Sequence, residues 1–234
     1  MLSTIIILLA AIVPYLIGSI NFSIIISKRF KGEDIRKSGS GNAGATNMLR
    51  TYGKGWAVLT LLLDVLKGSV GVWLGMLLCA LCKKYVILAG SGGVGISVSA
   101  GSYDIINAVS PYFMLIGALF AVIGHNFPVF FGFKGGKGVA ASLGVLLALD
   151  YRIGLIVLVF AVAIMAITRY VSLGSVMAAI IYVAVSLTNM IYTNSFSAVR
   201  FCFDILLAAL LIVRHRKNIK RLLAGEENKL GKKK

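Results

Sequence analysis

Residues 2–27 run without a single charge, and that one stretch rules out most of the folds open to a chain of this size. An apolar run of more than about 18 residues is long enough to cross a bilayer core of about 30 Å. Further apolar runs follow at 56–81, 111–123, 139–149, 153–167, 176–192 and 199–213. A soluble domain of 234 residues has no interior large enough to hide so much apolar surface. The chain is 59% hydrophobic and its mean hydropathy is +0.92, well outside the range of globular domains. The expected fold is all-α: a polytopic integral membrane protein with seven transmembrane helices. Residues 1–234 form a single membrane-embedded domain, with a basic tail over 214–234 that begins as a helix continuing from the last run. Pro14 and the small residues after it interrupt the first run, which neighbouring helices can tolerate.

The formal net charge of +16 would suggest nucleic acid if the cations lay on a folded surface. They lie instead in the joints between apolar runs and in the tail, the distribution that topology and anionic lipid headgroups demand. The expected partner is a lipid bilayer, with no nucleic acid. No basic residue precedes the first run, whereas Lys28, Arg29 and Lys31 follow it. A cleaved signal peptide carries its charge on the other flank, so this run reads as an uncleaved span with its N-terminus outside. Seven crossings then put the C-terminus and three polar loops in the cytoplasm. On that reading 20 of the 24 Lys and Arg residues lie inside, against Lys83, Lys84, Arg152 and Arg200 outside. That bias fits the positive-inside rule.

Between the first two spans lies RKSGSGNAGATNMLR, residues 36–50. Three glycines allow turns with positive φ, and successive N–H groups in such turns make an anion nest. Flanking cations at Arg36, Lys37 and Arg50 point to a phosphate or another oxyanion. The alternative is a flexible inter-helix loop whose cations only obey topology. A second glycine cluster, GHNFPVFFGFKGGKG, fills 124–138. A nucleotide P-loop fails there, because Phe131 replaces its first glycine and Gly138 its Ser/Thr. A third short polar turn spans 168–175.

Inside the second span, Asp64 and Lys67 stand three residues apart on one helical face and can pair. They read as the only ionisable pair within the spans, and brace the loop above or merely neutralise each other. Cys79 and Cys82 form a CxxC without the further ligands zinc needs, so with Cys202 they read as small apolar helix residues. Residues 83–110 read as an external segment. Its Gly-Ser run lacks the strand–turn–helix context of a nucleotide fingerprint.

The inward-facing segments pool Ser40, Gly41, Asn42, Gly44, Thr46, Asn47 and Arg50. They add His125, Asn126, Lys134, Gly135, Gly136, Lys137 and Gly138, then Ser172, Ser175, His215 and Asn218. Cations and amides abound while carboxylates are scarce. Such a set suits one or two phosphates and an oxyanion, and no metal or cofactor is expected. Neither a G-x-S-x-G elbow nor an H-x-x-x-x-D motif is present, since Phe130 follows His125 by five and Lys220 follows His215 by five.

SGSGNAGATNMLR, GHNFPVFFGFKGGKG and HRKNIKRLLAGEE, in that order, closely resemble the three signature regions of the bacterial acyl-phosphate-dependent glycerol-3-phosphate acyltransferases. LLLDVLKG and RYVSLGS are similar to that family too, and the resemblance covers essentially the whole chain. It implies a seven-span inner-membrane enzyme of phospholipid biosynthesis, multi-pass, with its active site facing the cytoplasm. The reaction implied moves a fatty acyl group from acyl phosphate to the 1-hydroxyl of sn-glycerol 3-phosphate, releasing lysophosphatidic acid and inorganic phosphate. The enzyme that makes acyl phosphate from acyl-carrier protein is the implied protein partner. By position, Ser40 and Arg50 match the essential serine and arginine of the first region, and Gly135, Gly136, Lys137 and Gly138 the glycerol-phosphate loop. His215 and Asn218 match the important pair of the third, and Glu227 a structurally required glutamate. An acyl phosphate is already activated, so no covalent acyl-enzyme is expected. The rivals are a transporter of an organic phosphate, which would place charged or broken helices at mid-membrane, and a CoA-dependent acyltransferase.

Overall fold

A computed structural model describes residues 2–90, 104, 108–109 and 112–231. The expected external segment over 83–110 therefore falls mostly outside the described residues. What is described is helical, with short 3₁₀ turns and no strand. In chain order the elements are α1 (Leu2–Gly18), α2 (Phe22–Lys31), α3 (Ala45–Tyr52), α4 (Lys54–Gly90), α5 (Phe113–Asn126) and α6 (Val139–Leu149). They continue with α7 (Tyr151–Thr168), α8 (Val171–Tyr192), α9 (Ala198–Arg214) and α10 (Arg216–Leu223). Among the described residues, five helical segments are long and apolar enough to cross a membrane: Ile5–Lys31, Lys54–Lys84, Phe113–Phe131, Tyr151–Thr168 and Val171–Tyr192. The expected short fourth span, α6, has 11 residues, and α9 has 17.

The first apolar run is broken, and Pro14 is not the cause, since it sits inside α1. The break falls at residues 19–21, where polar side chains compete for the backbone. Asn21 Oδ1 caps α2, accepting from the Ile24 amide at 3.3 Å and the Ser23 hydroxyl at 2.7 Å. Ser19 Oγ donates back to the Tyr15 carbonyl at 2.8 Å. The carbonyl of Ile20, freed by the break, accepts from Lys67 Nζ at 2.8 Å. Lys67 in turn lies 2.8 Å from Asp64, and both are almost fully buried. The pair therefore braces the broken helix as well as neutralising itself. A freed carbonyl away from water needs such a donor.

Helix α4 is the central post. Its 37 residues extend about 55 Å, well past the expected end at 81, and it packs against α1, α5 and α6. Close approach depends on missing side chains. A Cβ on Gly117 would strike the Gly71 carbonyl, and one on Gly144 the Val65 carbonyl. Val72, Ala118, Val122, Ala141 and Val145 fill the core between these helices and continue to Tyr182, Phe203 and Leu207. The outer faces carry exposed Leu62, Val159 and Ile167, as lipid contact requires. All three cysteines are free, with Cys82 packed against Ala10 and Phe113.

Three expectations are corrected here. Ser172 and Ser175 sit in the first turns of α8, and only Arg169 and Tyr170 connect it to α7. The tail helix does not simply continue α9: the chain turns at His215 before α10 begins. Asp64 and Lys67 are not the only ionisable groups within the apolar runs. Asp204, inside the 199–213 run, is fully buried and paired with Arg200 at 3.0 Å. An i,i+4 partner one turn earlier lets a carboxylate persist in an apolar helix.

Candidate active site

The first glycine loop is organised from within by a buried side chain. Asn47, on α3, donates through Nδ2 to the carbonyls of Ile35 at 3.0 Å and Ser38 at 2.9 Å. Its Oδ1 accepts the Ser40 amide at 2.8 Å. All of its principal bonding thus goes to shaping the loop that offers Ser40. Gly39 adopts φ +60°, and a side chain there would run into Asn47. Arg36 clamps Asp34 at 3.0 and 2.7 Å, and its hydrogen bond holds that carboxyl down at about 2. The same guanidinium reaches the carbonyls of Phe131 at 2.8 Å and Lys134 at 3.0 Å, tying the first loop to the second.

The second loop is braced on both sides of its chain. The amides of Gly135 and Gly136 donate to the carbonyls of Asn126 and His125 at 3.3 and 3.1 Å. Their own carbonyls accept from Arg214 at 3.3 and 2.8 Å. A side chain on Gly136 would meet the His125 ring and the Ala43 carbonyl. What the loop delivers to the site is Lys137, whose ammonium donates to Asn218 Oδ1 at 2.5 Å. Burial, with Arg221, Arg50 and Arg214 nearby, lowers Lys137 to about 8 against the opposing pull of Glu227. Its proton is therefore loosely held for a lysine until an anion arrives.

The tail completes the ring. His215 is buried, with Nδ1 2.9 Å from the Leu211 carbonyl. A carbonyl can only accept, so Nδ1 carries the hydrogen and Nε2 the lone pair. Burial and then Lys137 lower the ring to about 4, leaving it neutral at pH 7. Glu227 gathers Asn218 Nδ2 at 2.8 Å, Arg221 Nε at 2.7 Å and Ser172 Oγ at 3.1 Å. Burial raises its pKa, but these donors outweigh that and lower it overall. Arg50 donates to the Asn228 carbonyl at 3.3 Å, bringing the first loop against the tail.

These elements surround one cavity of about 490 Å³. Of the residues singled out from sequence, Ser40, Asn42, Gly44, Thr46, Asn47, Arg50, Asp64, His125, Lys137, Gly138, Ser172, Ser175, His215, Asn218 and Glu227 line it. Gly41, Lys67, Asn126, Lys134, Gly135 and Gly136 do not. Lys134 is exposed, and Asn126 is buried behind the second loop. Below the polar mouth the walls become apolar, with Leu146, Val157, Ala161, Ala179, Leu207 and Leu211. Among the described residues, no three His, Cys, Asp or Glu side chains gather as metal ligands would. Arg36, read from sequence as a phosphate cation, is instead spent on Asp34 and the carbonyls of Phe131 and Lys134, whereas Arg214 and Arg221 also brace the site and were not singled out. Their sequence positions look like lipid-facing cations, and only contact with loop carbonyls and Glu227 separates them.

The fold and the site define a helical, membrane-type bundle with a cationic mouth over an apolar channel. The family model for glycerol-3-phosphate acyltransferase matches residues 8–225, and the chain belongs to that family. It is 43% identical over 225 residues to the glycerol-3-phosphate acyltransferase of Thermoanaerobacter sp. (strain X514), covering 96% of each chain. Against glycerol-3-phosphate acyltransferase 1 of Deinococcus radiodurans it is 42% identical over 226 residues, covering 97% of this chain and 96% of that one. The crystal structure of PlsY, an integral membrane glycerol 3-phosphate acyltransferase, in its glycerol 3-phosphate form superposes with a TM-score of 0.73. Identity there is 36% over 96% of both chains. The lysophosphatidic acid form of PlsY gives 0.70 at 35% identity, over 96% of this chain and 95% of that one. The chain is thus an acyltransferase and an integral membrane protein.

Proposed function

We propose that this enzyme transfers a fatty acyl group from acyl phosphate to the 1-hydroxyl of sn-glycerol 3-phosphate, giving lysophosphatidic acid and inorganic phosphate. The observation that carries this reading is the single cavity in which Ser40, Arg50, Lys137, His215 and Asn218 meet above an apolar channel. One compartment can hold two phosphates and a hydrocarbon chain, and holding reactants in line supplies much of an acyl transfer from an activated donor. Arg50 and Lys137 neutralise the phosphates. Ser40 and its loop stabilise the oxyanion that forms as the hydroxyl attacks the acyl carbonyl. His215, neutral with its lone pair on Nε2, accepts a hydrogen bond from the attacking hydroxyl and orients it. The departing phosphate takes the proton, so no acyl-enzyme forms.

The same reading makes the bundle seven-spanning: the broken α1–α2 unit and α4 to α9 each cross once, with the N-terminus outside and the C-terminus in the cytoplasm. The charge bias of the joints supports this orientation, and the two glycine loops that line the cavity meet at one end of the helices, as loops on one side of a bilayer would. The bilayer is the bacterial inner membrane and the product enters phospholipid synthesis. Acyl phosphate would come from the enzyme that makes it from acyl-carrier protein.

Purified protein given labelled glycerol 3-phosphate with acyl phosphate or acyl-CoA tests the donor directly. Product from acyl phosphate alone is the expected result. Product from acyl-CoA alone would make this a CoA-dependent enzyme, and product from neither would sink the reading. Trapping of an acyl group on Ser40 would overturn the direct mechanism, and a C-terminal reporter active only outside the cell would overturn the orientation.

A further inference from the structure

We propose that Tyr182 is the floor of the apolar channel and sets the length of the acyl chain that the enzyme transfers, with Asp204 holding its ring in place. The inference rests on the reading of this cavity as the acyl-donor site. On each of four helices the positions that line the cavity start at the polar end and stop at a common depth. They run from Ser172 to Tyr182 on α8 and from Leu211 back to Leu207 on α9, below His215. On α7 they run from Met165 back to Val157, and on α6 from Val139 to Leu146. Below that level lie Ile153 and Phe203, part of the closed core.

Tyr182 differs from the other residues at this level because it is tethered. Its hydroxyl donates to Asp204, which is fully buried and also accepts Ser186 Oγ at 2.6 Å and Arg200 Nε at 3.0 Å. A leucine in this place could change rotamer to admit a longer chain. The tyrosine can do so only by abandoning a charge-assisted hydrogen bond in an apolar interior. Above it, Ala161, Ala178, Ala179 and Ala208 keep the channel open. Ser172 and Tyr182 are ten residues apart on α8, about 15 Å along the axis. Carbon–carbon bonds of about 1.5 Å advance an extended chain by about 1.25 Å per carbon, so that depth takes roughly 12 carbons below the Ser172 level.

The test uses the full-length protein in detergent and a ladder of saturated acyl phosphates at fixed glycerol 3-phosphate. Rates in the parent enzyme should fall about fourfold for each methylene beyond the length that fits, the factor set by one unburied methylene. Tyr182→Ala should move the cut-off to longer chains by roughly 4 carbons, the length of the lost ring and hydroxyl. Ala179→Leu should move it to shorter ones. Tyr182→Phe, which keeps the ring and loses the tether, should blunt the cut-off without moving it. An unchanged profile in both Tyr182→Ala and Ala179→Leu overturns the inference. Should Tyr182→Ala fail to fold, Ala179→Leu alone decides. Failure of the parent enzyme to use any acyl phosphate is a separate result, seen before any variant is made, and it removes the proposed donor itself.

Discussion

Asp64 and Glu227 are both buried carboxylates surrounded by donors, yet their neighbourhoods do opposite things. Around Asp64 the charges close on themselves: Lys67 lies 2.8 Å away, His125 3.5 Å away, and the remaining reach of Lys67 goes to the Ile20 carbonyl. Around Glu227 the cations outnumber the acids. Arg221 pairs with it directly, Lys137 is bonded to its neighbour Asn218, and Arg50 stands against the following residue. A balanced cluster needs no counter-charge from a ligand and braces the fold, even where Asp64 and His125 also line the cavity. An unbalanced one in a half-buried mouth stays short of negative charge, and that shortfall is what an anionic substrate makes good.

The strongest way to break this comparison is Lys137→Ala. Removing one preorganised cation from the developing charge should lower kcat/KM on the order of 10²- to 10³-fold, while the Tm in detergent stays nearly constant. A large drop in Tm would show that the mouth serves the fold as well. Asp64→Ala should behave in the opposite manner. It leaves Lys67 buried without its partner, a loss of about 3–5 kcal/mol, read as lower Tm and yield. Replacing both, as Asp64→Leu with Lys67→Met, should recover only part of that, because the Ile20 carbonyl still loses its donor.

Glu227→Gln sits between the two regions. It keeps the shape but weakens the hold on Asn218 and Arg221, and a loss of a charge-assisted bond predicts a fall in kcat/KM of roughly tenfold, with a smaller change in Tm. The pH dependence sharpens the comparison further. Lys137 is charged below about 8 and neutral above it, so kcat/KM for glycerol 3-phosphate should fall as pH rises through about 8. Bound phosphate stabilises the charged form, which should carry the alkaline limb of kcat to higher pH than that of kcat/KM. Lys137→Arg should remove the limb. The smallest effect is expected at Ser175→Ala, since that hydroxyl donates to its own helix at the Val171 carbonyl, 2.9 Å away. A change within about 0.5 kcal/mol in Tm-derived stability is expected, and a clear loss of rate would give this serine a place at the substrate.

The sequence pattern made the class of fold and the location of the site readable, because both follow from composition along the chain. Spans 2–27 and 56–81 are visible as apolar runs, and the glycine clusters stand out against them. The pattern was blind where meaning depends on the partner across a gap. Arg214 looks like any juxtamembrane cation until it meets the carbonyls of Gly135 and Gly136. Asn47 looks like a substrate ligand until Ile35, Ser38 and Ser40 are seen to use it. Asp204 is plain in the sequence, yet its role depends on Tyr182 and Ser186, which lie on another helix.

By itself, the order of residues placed this chain in a bilayer and raised the expectation that two of its glycine loops share one side and suit an anion. Those conclusions need only transfer free energies, charge bias and the turn chemistry of glycine, all local properties. Tertiary structure alone decided that Lys137 and not the glycine amides is what the second loop offers. It also decided that Lys67 repairs a break in another helix and that Tyr182 is tethered to a buried aspartate. Each of those depends on contacts between residues dozens of positions apart, which packing of the helices creates and no local pattern encodes.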